Sequence, residues 1–328
     1  MGRPIVVTVG PLATADADGI TLSQKAASSL YLAINGALTD GGTANNVCQS
    51  QTPAGAGNLT LNGTLCSSVP TGSAVAYLGS MQRVYFTCAA NESGRTFTIS
   101  GYGYSPSGGP FAITETLTGS NASIVASQNT YYAINSIAIS GAASGAITVG
   151  RSGVATLDAA RQVRITSAGN DSGITFAIVG TDINGTVISE TLTGANASTA
   201  DSVLAYKTVT SIKPSGAVAT TLTIGTNGVG YSQYVRFSDY NSGSQTVVAA
   251  IVSGTVNYDV QTSLDDPGWL YSGYTPASMN WLSSLDTAVV GATASKSSYF
   301  EYTPLFARVK LNSGTGSVVA TFRQADNG

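Results

Sequence analysis

Apolar residues in this chain recur at every second position, in short runs that end in Gly, Asn, Ser or Pro. A period of two places alternate side chains on opposite faces of an extended strand. Val163 and Ile165 alternate with polar neighbours, and Ile174, Phe176 and Ile178 share one face of the next run. In "DINGTVISETLTG", Asn184-Gly185 separates two such runs, which predicts a hairpin. Val187, Ser189 and Thr191 define one face of its second arm; Ile188, Glu190 and Leu192 define the other. Two more runs, "YKTVTSIKPSG" and "TTLTIGTNG", complete the strand content of a small β-sandwich or barrel module. The C-terminal hundred residues alternate equally well, and Asn312–Gly316 predicts a hairpin loop between the last two strands. A short helix is expected at one place, Gln24 to Ile34.

The pattern repeats. "ETLTGSNAS" (Glu115–Ser123) and "ETLTGANAS" (Glu190–Ser198) agree at eight of nine positions, 75 residues apart. Upstream, Arg83–Gly101 parallels Gln162–Gly180 at a separation of 79, and downstream Ile134–Gly153 parallels Val209–Gly228 at 75. The change in offset is an insertion within "YGYSPSGGPFAI", which predicts a loop at a strand end, where added length is tolerated. The expected fold class is therefore all-β, with tandem small β-sandwich or barrel modules and a turn-rich N-terminal region. The expected divisions are an N-terminal arm or assembly region at 1–80, a first module at 81–153, its repeat at 154–230, and a distinct C-terminal β-module at 231–328.

Only 9% of the 328 residues are charged, against about 25% in an average domain. The 14 Lys and Arg form no run, so the electrostatic footprint of a nucleic-acid binder is missing. No apolar stretch is long enough to suggest a membrane span. The first residues carry no secretion-signal pattern, and the expectation is synthesis and folding in a cytoplasm. Cys48, Cys66 and Cys88 lack C-x-x-C spacing. A Cys48–Cys66 disulfide is geometrically allowed, but a cytoplasmic origin points to buried thiols. The seven N-x-[ST] sequons, at Asn58, Asn62, Asn91, Asn121, Asn170, Asn184 and Asn196, read as unmodified.

Catalytic signals are sparse. The chain has no histidine, which removes the commonest general base and metal ligand and any Ser-His-Asp or Cys-His arrangement. Glu115 and Glu190 could be proposed as paired glycosidase carboxylates, but they occupy the same position of two repeat copies and read as strand chemistry. Asp265-Asp266 reads as a strand end with an Asx turn before Pro267. "DADG" (Asp16–Gly19) lacks the later ligands of a calcium loop. No catalytic residue, cofactor or metal is expected. The residues singled out are Trp269, Tyr271, Tyr274 and Trp281, whose aromatic side chains can stack on sugars, anchor a protein interface or cap one end of the C-terminal core.

The repeated "N-[DE]-S-G-x-T-F-x-[IV]-x-G…E-T-L-T-G-x-N-A-S…[VI]-x-S-I" pattern, followed by "VSGTVNYDVQTSLDDP", resembles structural proteins of tailed bacteriophage virions over roughly Met81–Gly328. The resemblance implies a non-enzymatic virion protein assembled in the bacterial cytoplasm. Its expected place is on the head shell, as a decoration, cement or head-fibre component, with the neck or tail as the alternative. It also implies symmetric multimers. The expected partners are further copies of the chain, with a trimer the anticipated form, and other virion proteins such as the major capsid protein. A bacterial-surface carbohydrate-binding or adhesin module, contacting host glycan, is the competing reading. A tailspike-type depolymerase would show clustered carboxylates, and the 17 acidic residues here are dispersed.

Overall fold

The computed structural model describes residues 4–26, 28–40, 42–67, 74–105, 108–238, 246–267 and 278–324. The described residues form an all-β structure of antiparallel sheets, with a short 3-10 turn at Thr287–Val289. Three hydrophobic cores organise it.

The first repeat copy is a two-sheet sandwich. One sheet runs in the order Pro110–Thr118, Thr96–Tyr104, Tyr131–Ile139, Val75–Gln82, Cys66–Ser67, and the facing sheet in the order Ile124–Ala126, Val84–Cys88, Ile147–Arg151, Thr43–Gln51. Phe86 from one layer stacks on Phe97 from the other at 4.6 Å between ring centroids, sealing the core. The insertion lies at the tip of the Thr96–Tyr104/Pro110–Thr118 hairpin, as its turn chemistry predicts.

The second copy keeps its strands in one eleven-stranded sheet, because Thr199–Pro214 is continuous. It pairs with Val154–Ser167 near its start and with Thr175–Thr181 near its end, where the first copy has two separate strands. The local chemistry of the copies nevertheless matches. Asn91 bridges Asn121, and Asn170 bridges Asn196. The only non-glycine residues with positive φ among those described are Ala122 and Ala197, both at 44° and both in the "NAS" turn. Glu92 accepts hydrogen bonds from the amides of Ser144 and Gly145, and Asp171 accepts one from Ala219. The Asn184-Gly185 hairpin forms as expected, with Gly185 at φ 83° and the Asp182 carboxylate capping the amides of Asn184 and Thr186.

The N-terminal region is not an appended arm. Ile5–Val9 pairs with Ser317–Gln324 in the C-terminal sheet. Thr21–Gln24 pairs with Leu222–Tyr231, and Thr39–Asp40 with Val154–Ser167. Thr43–Gln51, Gly57–Asn58 and Val75–Gln82 complete the first sandwich. These short strands gain their burial from cores built by later residues, which corrects the expectation of a separate unit at 1–80. The helix expected over Gln24–Ile34 does not form. The Gln24 side chain instead bonds both the amide and the carbonyl of Ala33, closing an irregular loop that delivers Leu32, Ala33 and Ile34 into the interior. Tertiary burial overrides a weak helical propensity here.

A second correction concerns the last two strands. Phe306–Ser313 belongs to the eleven-stranded sheet and Ser317–Gln324 to the four-stranded C-terminal sheet. The connection through Asn312–Gly316 is therefore an arch between layers, not a hairpin. Gly314 sits at φ 108° against the Thr255 carbonyl, leaving no room for a side chain. The sheets it connects enclose Val9, Val248, Tyr258, Val309, Val318 and Phe322. The thiols are free: Cys48 and Cys88 are buried and Cys66 is half-buried. Burial pushes the Cys48 thiol up to about 12.

Candidate functional site

The acidic residues weighed for chemistry are engaged structurally. The Glu115 carboxylate accepts from the amides of Gln128 (2.5 Å) and Asn129 (2.9 Å) and from the Tyr131 hydroxyl. Glu190 does the same for the amides of Val203 and Leu204. Glu115 thus pins the entry to the Tyr131–Ile139 strand, and Glu190 holds the corresponding point within the continuous Thr199–Pro214 strand. Asp265 accepts from the Asn280 amide and side chain, while Asp266 pairs with Arg236 at 2.7 Å, so the adjacent carboxylates diverge. Asp16 caps the amide of Asp18 within "DADG". Among the described residues, no group of three His, Cys, Asp or Glu side chains is placed to hold a metal ion.

Of the four aromatics singled out, Trp269, Tyr271 and Tyr274 lie outside the described residues. Trp281 lies inside them and is half-buried, at the edge of a cleft of about 350 Å³ between the second repeat copy and the C-terminal part of the eleven-stranded sheet. One wall comes from Ala160, Gln162, Ile183 and Ile188; the other comes from Tyr231, Gln261, Trp281 and Arg308. The Trp281 ring lies 5.9 Å from that of Tyr234, whose hydroxyl bonds Asp182. Asp182 is already held by two amides of its hairpin.

Arg308 organises this wall. Its register partner on the neighbouring strand is Gln261, and Nε donates to the Gln261 Oε1 at 2.9 Å. The guanidinium carbon stands 4.3 Å from the Tyr231 ring centre and 4.1 Å from that of Trp281. Both contacts are cation–π stacks. Desolvation by these rings pulls the group down to about 10, which leaves it charged at neutral pH. Among the described residues no carboxylate forms an ion pair with it, and its two terminal nitrogens have no hydrogen-bond partner. Composition and period could not single out Arg308 or Tyr231, because their juxtaposition depends on strand register.

A second surface stands out on the first copy. Met81 and Phe111 are exposed on the side of its six-stranded sheet that Gly103 faces, and Tyr102 and Tyr104 on the other side, with Phe111 and Tyr104 each at 46%. Tyr104 meets Tyr132 edge-on at 4.8 Å. The repeat offset places Met81 and Tyr104 opposite Ala160 and Ile183 of the second copy, and those two residues line the cleft beneath the C-terminal part of the chain. Positions that border a cleft in one copy are thus open to solvent in the other.

Comparisons with known protein families, curated proteins and solved structures return no match for this chain.

Proposed function

We propose that this chain is a non-enzymatic structural protein of a tailed bacteriophage virion, held on the head shell as a decoration or cement component. The observation that carries the reading is the open face of the first repeat copy that carries Met81 and Phe111, exposed side by side over Gly103 at the end of the Thr96–Tyr104/Pro110–Thr118 hairpin. An exposed apolar patch on an otherwise polar surface is the mark of a protein interface. The low charge density supports the same reading, since small polar surfaces pack together with little charge to desolvate. The partners in this proposal are neighbouring copies, in a trimer, and the major capsid protein. The integration of residues 1–80 into all three cores transfers the attachment role from the N-terminal region to this face. Imaging of purified particles with the chain labelled at its C-terminus tests the proposal. Density on the head shell at regular sites is expected. Label confined to the neck or tail selects the alternative placement, and absence from the particle overturns the assignment.

A further inference from the structure

We propose that the cleft beside Trp281 binds an acidic saccharide whose carboxylate is held by Arg308. The inference stands apart from the virion reading and rests on the cleft alone. Arg308 is a charged guanidinium stacked on two rings, with Nε committed to Gln261 and, among the described residues, no partner for either terminal nitrogen. Such a group offers its edge, and two parallel N–H donors on that edge match the geometry of a planar carboxylate. A water-exposed arginine needs no ligand. One stacked on Tyr231 and Trp281, with no counter-ion among the described residues, gains more from an anion that enters the cleft.

The surroundings choose the rest of the ligand. Among the described residues the side-chain amide nitrogens of Gln162 and Gln261 have no partner, while their oxygens accept from Asn227 and Arg308 respectively. Both donors border the same cleft, and the Asn280 amide oxygen adds an acceptor. Amide donors, an acceptor and an indole around one cationic fork complement a sugar ring, whose hydroxyls need both kinds of partner and whose C–H face packs on an aromatic ring. A peptide carboxylate would reach Arg308 equally well but would leave those amides unused. The volume of about 350 Å³ suits a small group and excludes a folded partner.

Trp281 reports directly on occupancy. The chain has two tryptophans, so Trp269→Phe in the full-length protein leaves Trp281 as the single tryptophan, excited selectively at wavelengths that the tyrosines do not absorb. Trigalacturonate and sialyllactose are titrated as probes. Their comparators are methyl-esterified trigalacturonate, galactotriose, triaspartate and inorganic phosphate. The expected result is a saturable fluorescence change with at least one acidic sugar, and binding of every comparator at least about tenfold weaker. Arg308→Gln should abolish the change. Arg308→Lys keeps the charge without the fork and should weaken binding about tenfold, with circular dichroism and melting unchanged. The lysine variant carries the test if the glutamine variant does not fold. No saturable change with either acidic sugar overturns the proposal, as does undiminished binding by a folded Arg308 variant. Equal binding of galactotriose removes the role of the carboxylate, and equal binding of triaspartate or phosphate removes the saccharide.

Discussion

At the residue scale, small side chains decide where backbones can meet. Gly150 and Gly225 are equivalent positions of the two copies, and each lies under an N-terminal segment. A Cβ on Gly225 would stand 1.7 Å from the Asp16 carbonyl oxygen, and one on Gly150 would stand 1.8 Å from that of Thr43. Either contact is far inside the van der Waals limit, and backbone cannot swing aside as a side chain can. Gly225→Ala should therefore destabilise by about 2 kcal/mol or more, read from the midpoint of urea unfolding. Gly94→Ala, which meets open space, is the matched control and should shift the midpoint little. Charge is used with similar economy. Arg161, only 2% exposed, donates to Asp158 at 2.6 Å, and together they hold the amide and carbonyl of Ala13. Burial opposes ionisation of Asp158, but hydrogen bonds from Arg161, Ala13 and Ala159 outweigh it and hold the carboxyl below its ordinary 3.8. A carboxyl depressed in the folded state adds stability that is present above the unfolded value and lost as pH falls through the folded one. Asp158→Asn should thus cost roughly 3 kcal/mol at neutral pH, by leaving Arg161 buried without its counter-charge. The gap from the parent should close as acid protonates Asp158 in the parent, which parallel denaturation series across that range would show.

At the scale of elements, the alternating pattern identified the strands, and Asn184-Gly185 identified their hairpin, because both signals are local. Two elements were not legible. Gln24–Ile34 carries a helix-like spacing of apolar residues, but its backbone answers to the Gln24 side chain, Ile212 and Ser152, partners far along the chain or reached through a side chain. Asn312–Gly316 has the composition of a hairpin loop. Whether such a loop turns within a sheet or between sheets depends on what lies beneath Gly314, and that is Thr255. The candidate site was half legible for the same reason. Trp281 could be picked out as a rare aromatic, whereas Arg308 and Gln261 became a pair only through the register of two strands. Edge pairing has a measurable consequence. Ile5–Val9 covers one side of Ser317–Gln324 and buries Val7 and Val9. Removing residues 1–12 should expose that strand, lower the melting temperature and promote association detectable by light scattering. Removing all of residues 1–80 should leave no folded first sandwich, which circular dichroism would register as lost strand signal.

At the scale of the whole molecule, duplication supplied two similar frames that differ in what lies against them. The second copy borders a cleft against the C-terminal part of the chain through Ala160, Ile183 and Ile188; the first leaves Met81 and Phe111 in the open on one side of its sheet. If that face docks on the particle, Met81→Ser with Phe111→Ser should reduce incorporation severalfold while changing stability by no more than about 0.5 kcal/mol, since exposed side chains contribute little to folding. Occupancy on purified particles beside the melting curve of the free protein separates the two effects. The pairing of Ile5–Val9 with Ser317–Gln324 also sets a timetable for biosynthesis. At about 5–20 residues per second, a ribosome needs on the order of half a minute to travel from Ile5 to Phe322. Throughout that interval the first strand has no edge to join. The C-terminal core closes only once its last strand has left the exit tunnel, so a prematurely terminated chain lacks this core and is left open to proteolysis.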